Sequence, residues 1–278
     1  MEITGTRVLI TGASRGLGRE LALGFADAGA DVALVARNAD ALTELAGLTG
    51  GRAYPCDLAD RAAVRGLLAR VEADGPVDIL VNNAADEGIG RFTELSADTL
   101  EFMVRLNALA PAELTRQALP GMLRRGRGHV VHVSSFAGIV VPPMLATYAS
   151  TKAFVSHHAV NLQFELKDTP IGVTRVELGE ITGTDMMAHG RTEPALAGMF
   201  ERMYRLRLNR QINSAEITAA VLDAVRENRW SVRLPRRLAP ASLLADLPRR
   251  MTWLLAHGLT TPPAAEPRST SPGSVGSR

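Results

Sequence analysis

Tyr148 and Lys152, four positions apart, are the residue pair in this sequence best suited to proton transfer. On a helix, side chains at this spacing lie on the same face. A phenol with a pKa near ~10 exchanges protons poorly at neutral pH, and a neighbouring ammonium lowers that pKa by favouring the phenolate. Only two of the 31 basic residues are lysines, so a lysine at this position contrasts with an arginine-rich background. The alternative interpretation is a Tyr/Lys pair on a solvated helix face.

A glycine-rich segment, Thr-Gly-Ala-Ser-Arg-Gly-Leu-Gly at 11–18, is the second candidate site. Glycine permits unusual backbone angles and close approach to a pyrophosphate, and the N–H groups at a helix start attract anions. A tight strand-to-helix turn without a ligand is the simpler alternative. The apolar run before the segment and the helical pattern after it favour dinucleotide binding. The expected contact residues are Gly12, Ser14, Arg15, Gly16, Leu17 and Gly18.

Short β-branched runs alternate with longer helical patterns along most of the chain. Buried strands are predicted at 8–11, 31–36, 77–81, 129–134, 172–176 and 230–234. Helical spacing is found at 16–29, 60–74, 97–125 and 147–167. Such alternation is typical of βαβ units. We therefore predict a single-domain α/β fold, a Rossmann-like doubly wound parallel sheet of about seven strands with helices on both faces.

The composition restricts the class of protein. With 278 residues, 46% of them hydrophobic and 22% charged, the chain is typical of a folded globular domain. A net charge of +2 gives no electrostatic case for nucleic acid. The single cysteine excludes an internal disulfide, no metal site is expected, and His157 and His158 are interpreted as structural. No integral membrane segment and no signal peptide are predicted, which favours a cytoplasmic location.

Several motifs occur in an order that resembles the short-chain dehydrogenase/reductase family, over about residues 5–232. The glycine segment has the family spacing T-G-x-x-x-G-x-G, and the Tyr/Lys pair has the spacing Y-x-x-x-K. The other matching positions are Asp57, Asn82, Asn83, Ala84, Asn107, Ser134 and Ser135. The chain departs from the family pattern at Leu178, where proline is usual, and at Ala85, where glycine is usual.

The resemblance implies a nicotinamide-dependent oxidoreductase that acts on a ketone or a secondary alcohol. Tyr148 would be the acid/base, Ser135 would bind the substrate oxygen, and Asn107 would position a water in a proton relay. Lys152 would lower the pKa of Tyr148 and hold the ribose hydroxyls. Ser134 competes with Ser135, which the 13-residue spacing to Tyr148 favours. The remaining implied cofactor contacts are Asp57, Leu58, Asn83, Ala84, Tyr148, Lys152, Gly179 and Ile181.

Arg15 and Arg37 predict a preference for NADP(H) over NAD(H). The second strand runs into Arg37, whereas an acidic residue at its tip would bind the ribose 2′-hydroxyl of NAD. Guanidinium groups bind a phosphate bidentately. The alternative is that both are ordinary surface residues of an arginine-rich chain.

A bulky apolar substrate is favoured by the methionine-rich segment 183–209, where the family carries a mobile substrate lid. Plain helix packing is the alternative for this segment. It holds the methionines Met186, Met187, Met199 and Met203, together with Phe200, Tyr204 and Leu206. The opposite wall is expected from Phe136, Ile139, Val140, Val141 and Met144.

The predicted organisation is a catalytic domain at 1–234, a helical extension at 235–260 and a disordered tail at 261–278. The family resemblance implies a homodimer or a homotetramer. Two other functions compete with the oxidoreductase. A non-catalytic NADP(H) sensor on the same fold would typically lack the tyrosine or the lysine. An epimerase or dehydratase would typically resemble a longer branch with a G-x-x-G-x-x-G motif.

Overall fold

The computed structural model describes residues 1–183, 188, 191–240 and 243–247. Within them lie seven strands: β1 (Arg7–Thr11), β2 (Asp31–Ala36), β3 (Arg52–Pro55), β4 (Ile79–Asn82), β5 (Gly128–Ser135), β6 (Ile171–Leu178) and β7 (Ser231–Leu234). All pair in parallel, in the order β3-β2-β1-β4-β5-β6-β7. The order reverses direction between β1 and β4, which confirms the predicted doubly wound sheet.

Helices connect successive strands across both faces of the sheet. In the described part of the chain they are α1 (Gly16–Asp27), α2 (Ala39–Thr49), α3 (Arg61–Glu72), α4 (Ala97–Val104), α5 (Ala110–Arg125), α6 (Ala146–Glu165), α7 (Pro194–Arg205) and α8 (Ser214–Arg226). The single helix predicted at 97–125 is divided, because a π-helical turn, Arg105–Leu109, separates α4 from α5. The sequence analysis did not predict β3 or α2, because neither contains a long apolar run.

Strand residues alternate between two apolar cores. Val8 and Ile10 of β1 lie in the core that contains α1 and α8, whereas Leu9 faces the opposite core with α3, α5 and α6. This alternation follows from the period of two along a strand. Because both faces are covered, the sheet is buried throughout and its carboxyl edge is left to form a site.

The segment after β7 is described in part. A 3₁₀ turn lies at Arg236–Leu238, and residues 243–247 are helical. Asp246 fixes this short helix to the sheet, since it pairs with Arg175 and with Arg233, each at 2.6 Å. The rest of the predicted extension 235–260 and the predicted tail 261–278 lie outside the described residues.

Candidate active site

The glycine-rich turn joins β1 to α1 with little space for side chains. Gly12 and Gly16 have positive φ angles of 70° and 53°, in the region that favours glycine. A Cβ built on Gly18 would lie 2.1 Å from the carbonyl oxygen of Gly12, so the first turn of α1 packs directly on the strand end. The sequence therefore requires glycine here for backbone reasons, apart from any ligand.

Thr11 and Asn83 join the glycine turn to the end of β4. The Oγ1 of Thr11 accepts hydrogen bonds from the N–H groups of Asn83 (2.9 Å) and Ala84 (3.1 Å). The Nδ2 of Asn83 donates in return to the carbonyl oxygen of Thr11 at 3.0 Å. Two of the sequence motifs thus form one hydrogen-bonded unit at the point where the strand order reverses.

A cavity of about 580 Å³ extends along the carboxyl edge of the sheet from this turn to the Tyr/Lys pair. Its size lies within the range of small-molecule sites. Every residue that the sequence predicted as a cofactor contact lines it, namely Gly12, Ser14, Arg15, Gly16, Leu17, Gly18, Arg37, Asp57, Leu58, Asn83, Ala84, Tyr148, Lys152, Gly179 and Ile181. The lining supports one elongated ligand that spans both ends.

Ser135, Tyr148 and Lys152 meet at the other end of this cavity. Ser135 ends β5, and Tyr148 and Lys152 lie one turn apart at the start of α6, with 8% and 4% of their surfaces exposed. Tyr148 and Ser135 are hydrogen-bonded. The Nζ of Lys152 lies 5.6 Å from the Tyr148 ring centroid and donates to the carbonyl oxygen of Val133 at 3.0 Å.

Burial is the main cause of the pKa shifts of Tyr148 and Lys152. It raises the pKa of Tyr148 to about 12, although the hydrogen bond with Ser135 acts in the opposite direction. Burial also lowers the pKa of Lys152 to about 8. Desolvation of the phenolate therefore outweighs the effect of this hydrogen bond, and the expected lowering of the pKa of Tyr148 by Lys152 stays a prediction. At neutral pH Tyr148 is a phenol, the form that donates a proton.

The competing serine has a different environment. Ser134 is buried, and its Oγ donates to the carbonyl oxygen of Lys152 at 2.9 Å and lies 2.8 Å from the Oγ of Ser156. It therefore helps to fix α6 on β5. The less buried Ser135 is the one hydrogen-bonded to Tyr148, and this geometry favours Ser135 for substrate contact.

Asn107 lies in the π-helical turn, deeper than its neighbour Leu106, which lines the cavity. Its Nδ2 donates to the carbonyl oxygen of Asp86 (2.7 Å) and to the Oγ1 of Thr151 (3.2 Å). Its Oδ1 accepts from the Asp86 N–H at 2.9 Å. These contacts fix the loop after β4 against α6. The relay role implied by the resemblance stays a prediction.

The apolar walls agree only in part with the sequence prediction. Phe136 and Val140 line the cavity on one side. Val141 does not belong to this wall, since it is 95% exposed. On the lid side the lining residues are Leu196, Met199, Phe200 and Met203 of α7. Leu206 is 67% exposed and is likewise wrong as a lining residue, whereas Met186 and Met187 lie outside the described residues.

Two carboxylates of the cavity wall, Glu87 and Glu180, were missed by the sequence analysis. Glu87 follows the Asn-Asn-Ala-Ala motif, and burial together with Asp86 raises its pKa to about 7. Glu180 is 2% exposed and follows Gly179 directly. Both come just after the carboxyl end of a parallel strand, where ligands bind in such sheets, and this position was the signal available.

The glycine end fits a pyrophosphate. Side chains cap the N-termini of α2, α3, α4 and α8 by accepting from their first turns, the capping residues being Asn38, Asp60, Ser96 and Asn213. α1, like α5, α6 and α7, begins with no side-chain cap, and the residue before it is Arg15. Its first N–H groups therefore border the cavity with the positive end of the helix dipole. A dinucleotide phosphate matches these donors, and the exposed Arg15 and Arg37 lie beside them.

A metal site and a membrane span were also sought. Among the described residues, no group of three or more His, Cys, Asp or Glu side chains is arranged to hold a metal ion. His158 instead stacks on Phe154 and contacts the edge of His132, both at centroid distances of 5.7 Å. Within the same part of the chain, none of the helices combines the length and the apolarity that crossing a bilayer requires.

Known proteins are similar to this chain in sequence. The chain is 38% identical over 186 residues to the bovine (Bos taurus) dehydrogenase/reductase SDR family member 7B, a match that covers 63% of this chain and 57% of that protein. It is 35% identical over 182 residues to the NADP-dependent 3-hydroxy acid dehydrogenase YdfG of Shigella flexneri, covering 64% and 73%. The match thus spans little more than half the length of the bovine relative.

A solved structure shows the same similarity in three dimensions. The short-chain dehydrogenase from Sphingobium yanoikuyae, in complex with NADPH, superposes with a TM-score of 0.75 at 26% identity, covering 94% of this chain and 99% of that one. The family model described as short chain dehydrogenase matches residues 6–195. With this match over most of its length, the seven-stranded parallel sheet and the Tyr/Lys pair at the sheet edge, the chain belongs to the short-chain dehydrogenase/reductase family of oxidoreductases.

Proposed function

We propose that this protein transfers hydride between NADP(H) and a ketone or secondary alcohol that is bulky and apolar. The observation that carries the proposal is the convergence of Ser135, Tyr148 and Lys152 at one end of a cavity whose other end is an uncapped helix N-terminus. One end suits the phosphates of a dinucleotide, and the other suits a reacting oxygen.

The side chains at the second end have separate tasks. A bound nicotinamide supplies the hydride. The hydroxyls of Ser135 and Tyr148 donate hydrogen bonds to the substrate oxygen, where negative charge develops during reduction. Tyr148 then gives its proton to that oxygen, which its raised pKa of about 12 permits because the phenol is protonated at neutral pH. The Lys152 ammonium, close to the ring, stabilises the phenolate that remains.

The preference for NADP(H) is supported by Arg15 and Arg37, since both border the cavity near the glycine turn. The guanidinium carbon of Arg37 lies 5.8 Å from the centroid of the Phe102 ring, which gives this side chain a defined orientation. The relative from Shigella flexneri is named as NADP-dependent, and the Sphingobium yanoikuyae structure contains NADPH. These similarities favour the same cofactor here.

The substrate class is supported by the composition of the cavity walls. Phe136, Val140, Leu145 and the cavity face of α7 supply apolar surface around Tyr148. Methionines on that face adapt to irregular ligands. A ketone with a large hydrocarbon part therefore buries more apolar area than a small one, and we expect its KM to be lower.

The test uses NADPH deuterated at the transferable C4 position with a panel of ketones of increasing size. We expect deuterium at the carbinol carbon of the alcohol product, as measured by mass spectrometry, and lower KM values for the larger apolar ketones. NADH at the same concentration should transfer label more slowly.

A protein that binds NADPH tightly but reduces no ketone, and oxidises no alcohol with NADP⁺, would contradict the proposal and support the NADP(H)-sensing alternative. Label transfer that is faster from NADH would overturn the cofactor preference while leaving the reaction class in place. The two results can be told apart, because the first is an absence of turnover and the second is a change in the ratio of the transfer rates from NADPH and NADH.

A further inference from the structure

Glu180 is a buried carboxylate that lies just after the carboxyl end of β6 and lines the cavity. Its side chain is 1% exposed. A carboxylate removed from water is costly unless hydrogen-bond donors replace the lost hydration. The identity of the donors therefore shows which parts of the molecule depend on this charge.

Within the described residues, the side-chain donors to Glu180 come from the segment that carries α7 and from its immediate flanks. The guanidinium of Arg191 donates to Oε1 of Glu180, with Nε at 3.0 Å and Nη2 closer. The hydroxyl of Tyr204 donates to Oε2 over a short distance, and Asn209 contacts the same oxygen at 3.4 Å. Gln211 donates to Oε1 at 3.2 Å. One carboxylate thus collects donors from before, within and after α7.

The backbone next to Glu180 adds a second connection to the same segment. The N–H of Ile212 donates to the carbonyl oxygen of Glu180 at 3.0 Å, and the N–H of Thr182 donates to the carbonyl oxygen of Ile212 at 2.8 Å. Ile181 and Ile212 form an isolated parallel bridge. The end of the lid segment is therefore fixed at Glu180 by main chain and side chain together.

The face of α7 that results from this anchoring covers the catalytic tyrosine. Leu196 is buried in one apolar cluster with Tyr148, Leu145 and Met103, and Met199 and Phe200 pack against it. The anchored helix is thus also the apolar wall of the substrate end.

We propose that Glu180 is a positioning residue: it sets the place of α7 over Tyr148 and so determines the selectivity for bulky apolar substrates. This inference rests on the proposed function, because it concerns the substrate end of the same site. Glu180 acts through Arg191 and Tyr204, and it takes no part in proton transfer.

The test compares Glu180→Gln, Arg191→Ala and Tyr204→Phe with the unaltered full chain by hydrogen exchange and by kinetics. Arg191→Ala is the safest variant for folding, because this side chain is 47% exposed. We expect amides of α7 to exchange about tenfold faster, which is the effect of losing one hydrogen bond to a charged group, while α1 changes less than about twofold. KM for a bulky ketone should rise about tenfold in all three variants, and in Arg191→Ala the NADPH Kd and the kcat for a small ketone should be unchanged.

A matched control is Arg210→Ala, which removes the same charge from the flank of the segment but breaks a pair with Glu216 instead. It should leave the exchange of α7 as in the unaltered chain. Arg191→Lys, which keeps the charge, should restore part of the protection that Arg191→Ala loses.

Other outcomes would overturn the proposal. A weaker NADPH Kd with unchanged exchange of α7 would make Glu180 a cofactor contact. Equal acceleration in α1 and α7 would make it a general stabiliser of the fold. If the unaltered chain reduces no ketone, the proposed function fails, whereas the exchange of α7 in Arg191→Ala still decides whether Glu180 anchors the helix.

Discussion

The two ends of the cavity are built from different parts of the chain. At the glycine end, the surface is mainly main chain: the turn at Gly12 and Gly16 and the first N–H groups of α1. At the tyrosine end, the surface is made of side chains from β5, α6 and α7, held by burial and long-range contacts. A main-chain site depends on local backbone angles, and a side-chain site depends on distant parts of the sequence coming together.

Adding one methyl group at Gly18 should disrupt cofactor binding at the glycine end more than any other change proposed for that end. The new Cβ would lie 2.1 Å from the Gly12 carbonyl oxygen and 2.6 Å from the Asn83 Nδ2, so α1 must shift relative to β1. We expect Gly18→Ala to weaken NADPH binding about 100-fold, measured by titration of the folded variant.

The control for this variant is Gly66→Ala in the interior of α3, where a new Cβ meets nothing within 4 Å. Alanine there should stabilise the helix by about 0.5–1 kcal/mol and leave the NADPH Kd unchanged. Binding by Gly18→Ala that equals the unaltered chain would show that the turn does not hold the phosphates.

A smaller effect is expected from removing a single side chain at the glycine end. Arg37→Ala removes a guanidinium from the cavity rim, and the NADPH Kd should rise between about 10- and 100-fold, as for the loss of a charge-assisted hydrogen bond. The NADH Kd should change less than about twofold, since NADH has no 2′-phosphate.

Arg105→Ala serves as the comparison, because this arginine pairs with Glu101 on an exposed helix face. Its loss should leave both Kd values unaltered. An equal rise for NADPH and NADH in Arg37→Ala would mean that the arginine contacts a group common to both cofactors.

The tyrosine end has a further property, a pH dependence that comes from buried ionisable groups behind it. Burial lowers the pKa of His132 on β5 to about 3, against about 6.5 for an exposed histidine. The fold therefore favours the neutral ring. The stability that the fold gains from the neutral His132 ring is fully present above about pH 6.5 and is lost as the pH falls towards 3. At pH 5.5 His132 should lower the free energy of unfolding by about 1 kcal/mol relative to pH 8.

His132→Leu tests this by denaturant unfolding at pH 5.5 and pH 8. Both ring nitrogens of His132 lack a hydrogen-bond partner within the described residues, so an apolar replacement is expected to cost little at pH 8. The variant should lose less stability at pH 5.5 than the unaltered chain does. The exposed His157 on α6 provides the control, since His157→Leu should keep the full pH dependence. An unchanged slope in His132→Leu would assign the acid sensitivity to other groups.

The same contrast between local and distant contacts explains what the sequence could predict. The glycine turn and the Tyr/Lys pair are local patterns, so the sequence alone could assign Gly12, Gly18, Tyr148 and Lys152 to one site, and all four line the same cavity. The doubly wound sheet followed from βαβ alternation, and the observed strand order confirmed it.

Features that depend on distant contacts were missed or wrong. Val141 was assigned to the substrate wall by its apolar type, yet it faces solvent. Glu180 was overlooked because its donors lie between Arg191 and Gln211, and spacing alone does not bring them together. Likewise, the raised pKa of Tyr148 reflects burial, which its spacing from Lys152 could not reveal.

The most direct test of the division between the two ends replaces Tyr148 by phenylalanine and measures NADPH binding and ketone reduction on the same preparation. Tyr148→Phe removes only the hydroxyl of a residue that packs in an apolar cluster, so folding should be preserved. We predict a loss in kcat of about 10²- to 10⁴-fold, with the NADPH Kd changed less than about twofold. Unchanged turnover with tight NADPH binding would contradict the claim that one end of the cavity holds the cofactor while Tyr148 at the other transfers the proton.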